Sequence, residues 1–432
     1  MNVQFSRSQQ RFLFILGITA TYIALLVWLD FLKGPKLWDE KTYWETILQF
    51  SDRLIPSLND LRNYGELNTP LPFIIFGAIE HLFHQGIFAG RLLNFVLSIS
   101  MVLIIGWPSR DKRGRAILCV IGLFFCPYYL FLSGRIYTEM IACFWMLMGL
   151  VSYVHNRHIL SSLAFILAIA SRQYMLPFPA AIATYEFIVA IINIRYFHSI
   201  SLVEQKRWIA PLVATLSIFG WIYLFQGLAP EIAVATRSVP TVQETTWAFA
   251  PNTAINFLAY IGLYIVIPEF VLFQPLSKLR RLRQRWRKAA LIAVALLIAY
   301  AAFPPQMEAH GNLMNLLDLL PNRALQMSVL YGLSLLACLR FSQPNLMFFI
   351  VLFNSLLMIK AYPWDKYILP LAVAFWYWQS TGLEGKTDKI SYLADRSFRL
   401  SAKHLGHDRE RDNLEAKTHH AGENLECFTD WN

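Results

Sequence analysis

Apolar runs of about 17 to 25 residues recur along this chain from residue 12 to about residue 380, and each can cross a hydrocarbon core of about 30 Å. In lipid such a run must satisfy its backbone internally, which it does as a helix. Of the 432 residues 56% are hydrophobic and only 15% are charged, whereas soluble domains carry about 25% charged residues. The expected fold is therefore all-α: a polytopic membrane protein with about twelve transmembrane helices over residues 1–380. Residues 381–432 carry both charge signs and few aliphatics, and read as a mostly disordered cytoplasmic tail.

The first span, 12–32, is longer than the core of a signal peptide and no A-x-A-like site follows, so it reads as a retained helix. Four of the five cysteines, Cys119, Cys126, Cys143 and Cys338, lie in apolar spans and Cys427 in the tail, which gives no disulfide framework. The net charge of +10 is concentrated in short segments between spans. Arg7 and Arg11, the stretch Arg110-Asp111-Lys112-Arg113-Gly114-Arg115, residues 195–207 and the run from Lys278 to Lys288 orient those segments and both termini to the cytoplasm. The charge thus serves orientation rather than nucleic acid, although the Lys278 run also reads as an anionic-lipid patch. The first outer loop, 33–86, is expected to hold a surface helix over 47–61 and a short interfacial or re-entrant segment over 71–83, after the helix-breaking Thr69-Pro70-Leu71-Pro72.

This topology puts Asp39, Glu40, Arg135, Glu139, Arg172, Arg237, Glu244, Glu308, His310, Arg323, Asp365 and Lys366 on the outer face. Taken singly, most have a bland reading. An isolated Asp-Glu pair is a solvated loop, Glu139 a helix cap, Arg323 an interfacial anchor, Trp364 an aromatic-belt residue and Arg91 a snorkelling side chain. His81 and His84 read as interfacial, His419-His420 as solvated tail, and no metal-ligand spacing occurs. Arg172 differs, because it sits at the centre of an apolar stretch, 159–194, and a charge so placed faces a bundle interior or a water-filled cavity with a partner. Acid and cation on one face suit group transfer from a phosphate-bearing lipid to a hydroxyl, with a carboxylate as general base and Arg or Lys on phosphate. Neither a phosphate loop nor a dinucleotide glycine fingerprint is present, so no nucleotide is expected.

Four motifs carry a family resemblance: Trp38-Asp39-Glu40, Tyr137-Thr138-Glu139, Arg172-Gln173-Tyr174 and Tyr367-Ile368-Leu369-Pro370, with Thr69-Pro70-Leu71-Pro72 at the loop exit. In their order the chain resembles GT-C glycosyltransferases, and within them the dolichyl-phosphate-glucose alpha-1,2-glucosyltransferase family. It departs from that family at Tyr174-Met175, where the family has T-N. The resemblance implies an inverting hexosyltransferase that uses a polyprenyl-phosphate sugar and a saccharide acceptor, with no cofactor besides that donor and the part of a metal left open. It implies Asp39 as general base with Glu40 sharing or shaping that role, and Arg172, Lys366, Arg135 and Arg237 on the donor phosphate. Glu139, Gln173, Tyr174, Trp364 and Asp365 would meet sugar or acceptor. The expected location is a bacterial inner membrane with an extracytoplasmic site, or the endoplasmic reticulum membrane with a lumenal one. A polymerase, ligase or flippase of lipid-linked polysaccharide stays open beside it.

Overall fold

The computed structural model describes residues 7–28, 32–107, 113–197, 206–236, 248–273, 286–307 and 309–383. The tail beyond residue 383, most of the basic run from Lys278, and Arg237, Glu244 and Glu308 lie outside the described residues. Within them the fold is all-helical, and the one β-type contact is an isolated parallel bridge between His310 and Trp364.

Three helices are long and apolar enough to cross a bilayer: Ile87–Gly106, Gln173–Ile194 and Pro251–Phe273. A fourth results if Gly114–Phe124 and Pro127–Ser133, bent by 78° at Cys126-Pro127, count as one broken span. Six shorter apolar helices of 10–17 residues accompany them, among them Arg11–Val27, Thr138–Val154 and His158–Ser171. Twelve full-length spans are therefore not seen in the described residues. Chain breaks are one reason, since Pro127 opens a new helix and a 3-10 turn, Gln173–Met175, follows Ser171. Proline removes a donor and disfavours helix in the residue before it, which splits apolar runs that look continuous in sequence.

The loop over 33–86 shows the same effect. Instead of one helix over 47–61 there are two, Glu40–Ser51 and Leu58–Arg62, on either side of Pro56. Ser57 caps the second: its Oγ accepts from the Asp60 amide at 3.3 Å, while Asp60 accepts from the Ser57 amide at 2.7 Å. The segment expected over 71–83 is a helix, Leu71–Phe83, with proline in its first turn. Its Gly77 lets it press directly on the Phe50 backbone of Glu40–Ser51. His81 Nδ1 donates to the Ser51 carbonyl at 2.7 Å and ties the pair at its far end.

At the centre stands Leu369–Thr381, in which every residue from Leu369 to Ser380 is buried. A helix apolar all round belongs in a core, and Trp376 lies against Gly122 of the broken pair. This helix begins directly after the corner carrying Trp364, Asp365 and Lys366, so the corner inherits its fixed position. Large apolar side chains such as Leu291, Val294, Leu297 and Ile298 point outward on Trp286–Ala302.

Pro251–Phe273 contains a π-helical turn, Gly262–Val266, packed at Gly262 against the Leu333 backbone of Arg323–Arg340. A methyl group there would overlap the Leu333 carbonyl. Gly262→Ala is expected to cost about 3 kcal/mol, at the upper end of overpacking, read as a lowered thermal midpoint. Gly17→Ala, on an open helix face with nothing within 4 Å, should leave that midpoint unchanged or raise it slightly.

Candidate active site

The acidic pair near the start of the loop over 33–86 is split by the helix it starts. Asp39 is the N-cap of Glu40–Ser51, and successive residues at a helix start point about 100° apart. Asp39 is 29% exposed and lines a cavity of about 870 Å³. Tyr43, Thr46 and Gln49 line it from the same helix face, at the four- and three-residue intervals that stack on one side. Arg172, Glu66 and Asn68 close one wall, and Trp364, Lys366 and Tyr367 come from the corner before the central helix.

An alternating row of charges runs along this cavity. Lys366, 4% exposed, donates from Nζ to Asp39 Oδ2 at 2.7 Å and lies 3.9 Å from Glu139 Oε1. Its ammonium sits 3.6 Å from the centre of the Trp364 ring, within cation–π range. Glu139 in turn is ion-paired with Arg172, which also donates to the Asn68 side chain and, at 3.4 Å, to the Tyr43 hydroxyl. Burial pushes the Tyr43 phenol well above its ordinary range, with Arg172 partly offsetting it, so the hydroxyl stays neutral. Asp39, Glu139, Arg172, Lys366 and Trp364 are thus brought together. Asn68 and Tyr43 join them, though no charge or motif in the sequence marks either one.

Glu40 faces the other way. It is fully buried and accepts from Arg91 in a two-pronged pair, Nε to Oε1 at 2.8 Å and Nη2 to Oε2 at 2.7 Å. The Ile136 amide at 2.8 Å and the Leu37 amide at 3.3 Å complete its shell. Arg91 therefore does not snorkel: no part of it reaches a surface, and its Nη1 binds the Leu32 and Gly34 carbonyls at 2.9 and 2.7 Å. Arg135, expected on a donor phosphate, points to the same hub, with Nη1 at 2.6 Å from the Pro35 carbonyl and 3.5 Å from Glu40 Oε2. Asn94, one turn on from Arg91, donates to the Arg135 and Tyr137 carbonyls at 2.6 and 2.9 Å. Arg91, Asn94 and Ser98 form a buried polar stripe at i, i+3 and i+7 on Ile87–Gly106. That spacing is readable in the sequence and is the signal that would have revealed the hub.

Asp365 is likewise turned away from the cavity. Fully buried, it accepts from the hydroxyls of Tyr128 and, at 2.6 Å, Tyr264, and from the Leu313 amide at 3.1 Å. Burial raises its carboxyl above the ordinary range, and these donors offset part of the rise. Gly311, at φ +126°, leaves room for the carboxylate where any side chain would collide with it. Gln173 spans the loop exit, donating to the Leu67 carbonyl at 2.8 Å and accepting from the Thr69 amide at 3.3 Å. The Tyr174 ring packs under Arg172 and edge-on to Tyr367. Asp365 and Gln173 are structural supports of the cavity rather than lining. Arg237 lies outside the described residues, and among those described no group of three His, Cys, Asp or Glu could hold a metal.

Trp38, between the hub and Asp39, holds φ at +49°, a left-handed conformation that costs a non-glycine residue about 1–2 kcal/mol. Removing the Asp365 acceptor would leave two phenols and an amide buried without one. Asp365→Ala is therefore expected to destabilise by about 3 kcal/mol or more in denaturant titration, and Tyr264→Phe by about 1 kcal/mol. No family model, curated protein or solved structure matches this chain.

Proposed function

We propose that this chain is a multi-pass membrane glycosyltransferase. It moves a hexose from a polyprenyl-phosphate sugar to a hydroxyl of a lipid-linked saccharide or other extracytoplasmic acceptor, with inversion. Residues 1–380 make the membrane domain, with about twelve crossings in which shorter and broken helices take part, and both termini are cytoplasmic by their basic flanks. The single observation that carries this reading is the Asp39–Lys366 contact at 2.7 Å on the wall of a cavity about 870 Å³ in volume. It sets a carboxylate able to accept a proton beside a cation able to hold phosphate.

In this reading the acceptor hydroxyl attacks the anomeric carbon and its proton passes to the Asp39 carboxylate. The bond from that carbon to the phosphate oxygen breaks, and the electron pair leaves on the phosphate. Its growing negative charge is met by Lys366 and by Arg172, cations already ordered in a largely dry wall. Donor phosphate competes with Asp39 for Lys366, so binding of donor frees the carboxylate for its role as base. Arg135 is not assigned to the donor here, because its Nη1 serves Pro35 and Glu40 and it does not line the cavity. Glu139 holds Arg172, and Trp364 offers its ring to a sugar face as well as to Lys366.

The test is transfer of labelled hexose from synthetic polyprenyl-phosphate sugars by purified protein in lipid. Asp39→Asn should lower kcat by about 10²- to 10⁴-fold, and Lys366→Met should lower kcat while raising the KM for donor. An Asp39→Asn variant as fast as wild type would remove the general base and with it this reading. Scrambling of lipid-linked saccharide without any transfer would favour a flippase.

A further inference from the structure

We propose that Arg91, which does not line the cavity, is a positioning residue for the Asp39 base; this rests on the glycosyltransferase reading above. Four observations carry it. The first is the density of contacts at one guanidinium. Arg91 binds both Glu40 oxygens, the Leu32 and Gly34 carbonyls through Nη1, and the Pro35 carbonyl through Nη2 at 3.2 Å. One buried side chain therefore fixes the outer end of the loop at three carbonyls and the start of the next helix at its first carboxylate.

The second is where Asp39 stands. It occupies the single turn between those anchored points, preceded by the left-handed Trp38 and followed by the clamped Glu40. A non-glycine residue keeps such a conformation only when its surroundings over-determine it. The anchors on both sides supply that determination and leave Asp39 no freedom to turn out of the cavity. Third, Arg91 has no donor left for a ligand, since its Nε, Nη1 and Nη2 are all engaged within the protein. It cannot act on donor phosphate as Lys366 does.

The fourth concerns what the pair is for. Burying two charges is costly, and apolar residues of similar volume often stabilise a core equally well. What a guanidinium fork adds over any apolar residue, and over lysine, is direction: two parallel bonds to one carboxylate at fixed geometry. A general base needs direction, because a displacement of about 1 Å can cost about 10²-fold in rate. Asp39 thus depends on Arg91 through Glu40, three residues that share no contact with one another except along that line.

The experiment is a double-mutant cycle in kcat between Arg91→Lys and Asp39→Asn, with the KM for donor and the thermal midpoint followed in each variant. Lysine keeps the buried charge and loses the fork. Arg91→Lys should lower kcat by about 10²-fold with the KM for donor within about two-fold of wild type. In that background Asp39→Asn should cost much less than it does alone, because a base already out of place has little left to lose. If the two losses multiply independently while wild type is active, Arg91 is a structural residue only and the proposal is wrong. If Arg91→Lys does not fold, Glu40→Gln takes its place in the cycle with the same expectation, since it too weakens the fork while keeping hydrogen-bonding oxygen. A wild type that transfers no hexose from any donor removes the underlying reading, an outcome distinct from additivity.

Discussion

A guanidinium and a carboxylate with no exposure to solvent hold the loop over 33–86 to the body of the protein. Taking two such charges out of water costs several kcal/mol per ion, and their attraction compensates only when the geometry is good and the remaining donors and acceptors are filled. Arg91 and Glu40 meet both conditions, with a two-pronged pair and backbone partners on every side. The ends of that loop are therefore not set by loop preference. They are set by Ile87–Gly106, whose buried stripe of Arg91, Asn94 and Ser98 also grips the turn before Thr138–Val154. From that turn comes Glu139, and from Glu139 the placement of Arg172.

The same device occurs twice. In Asp39-Glu40 and again in Asp365-Lys366, one member of a neighbouring pair faces the cavity while the other is locked into a buried hydrogen-bond hub. Glu40 is held by Arg91 and backbone amides; Asp365 by Tyr128, Tyr264 and the Leu313 amide. Each locked member fixes the stretch of backbone from which its neighbour projects. The two free members, Asp39 and Lys366, then meet at 2.7 Å. Tyr264 reaches its partner from a π-helical turn and Tyr128 from the helix that follows a sharp bend, so irregular backbone serves the hub in both cases.

Sequence reasoning reached part of this. Apolar run lengths and charge scarcity indicate helices throughout, and proline positions mark most of the breaks. Asp39, Arg172, Lys366 and Trp364, expected at one site, do meet around one cavity, with Glu139 ion-paired to Arg172 beside it. What could not be read was direction. Adjacent residues diverge by about 100° at a helix start, and composition does not say which of Asp39 and Glu40, or of Asp365 and Lys366, turns inward. Arg135 turns toward the Glu40 hub, a direction its position in the sequence does not give. Arg91 reads as snorkelling because its partner lies 51 residues away in sequence, yet a lone arginine inside an apolar run with Asn and Ser on the same helical face points to a buried partner. Span length was the least legible feature, since a bent or shortened helix looks like a full-length one when only hydropathy is counted.

The Asp39–Lys366 contact joins residues 327 positions apart. A chain inserted into a membrane from its N-terminal end carries its carboxylate in place long before its ammonium exists. Closing so long a loop carries a larger entropy cost than any local pairing, and its far end lies in the corner just before the central helix, Leu369–Thr381. The cavity wall is thus complete only when residues from both ends of the described chain are in place. A chain that lacked the segment from Trp364 onward would keep the Arg91–Glu40 anchor of the loop over 33–86 and would have no Lys366 ammonium opposite Asp39.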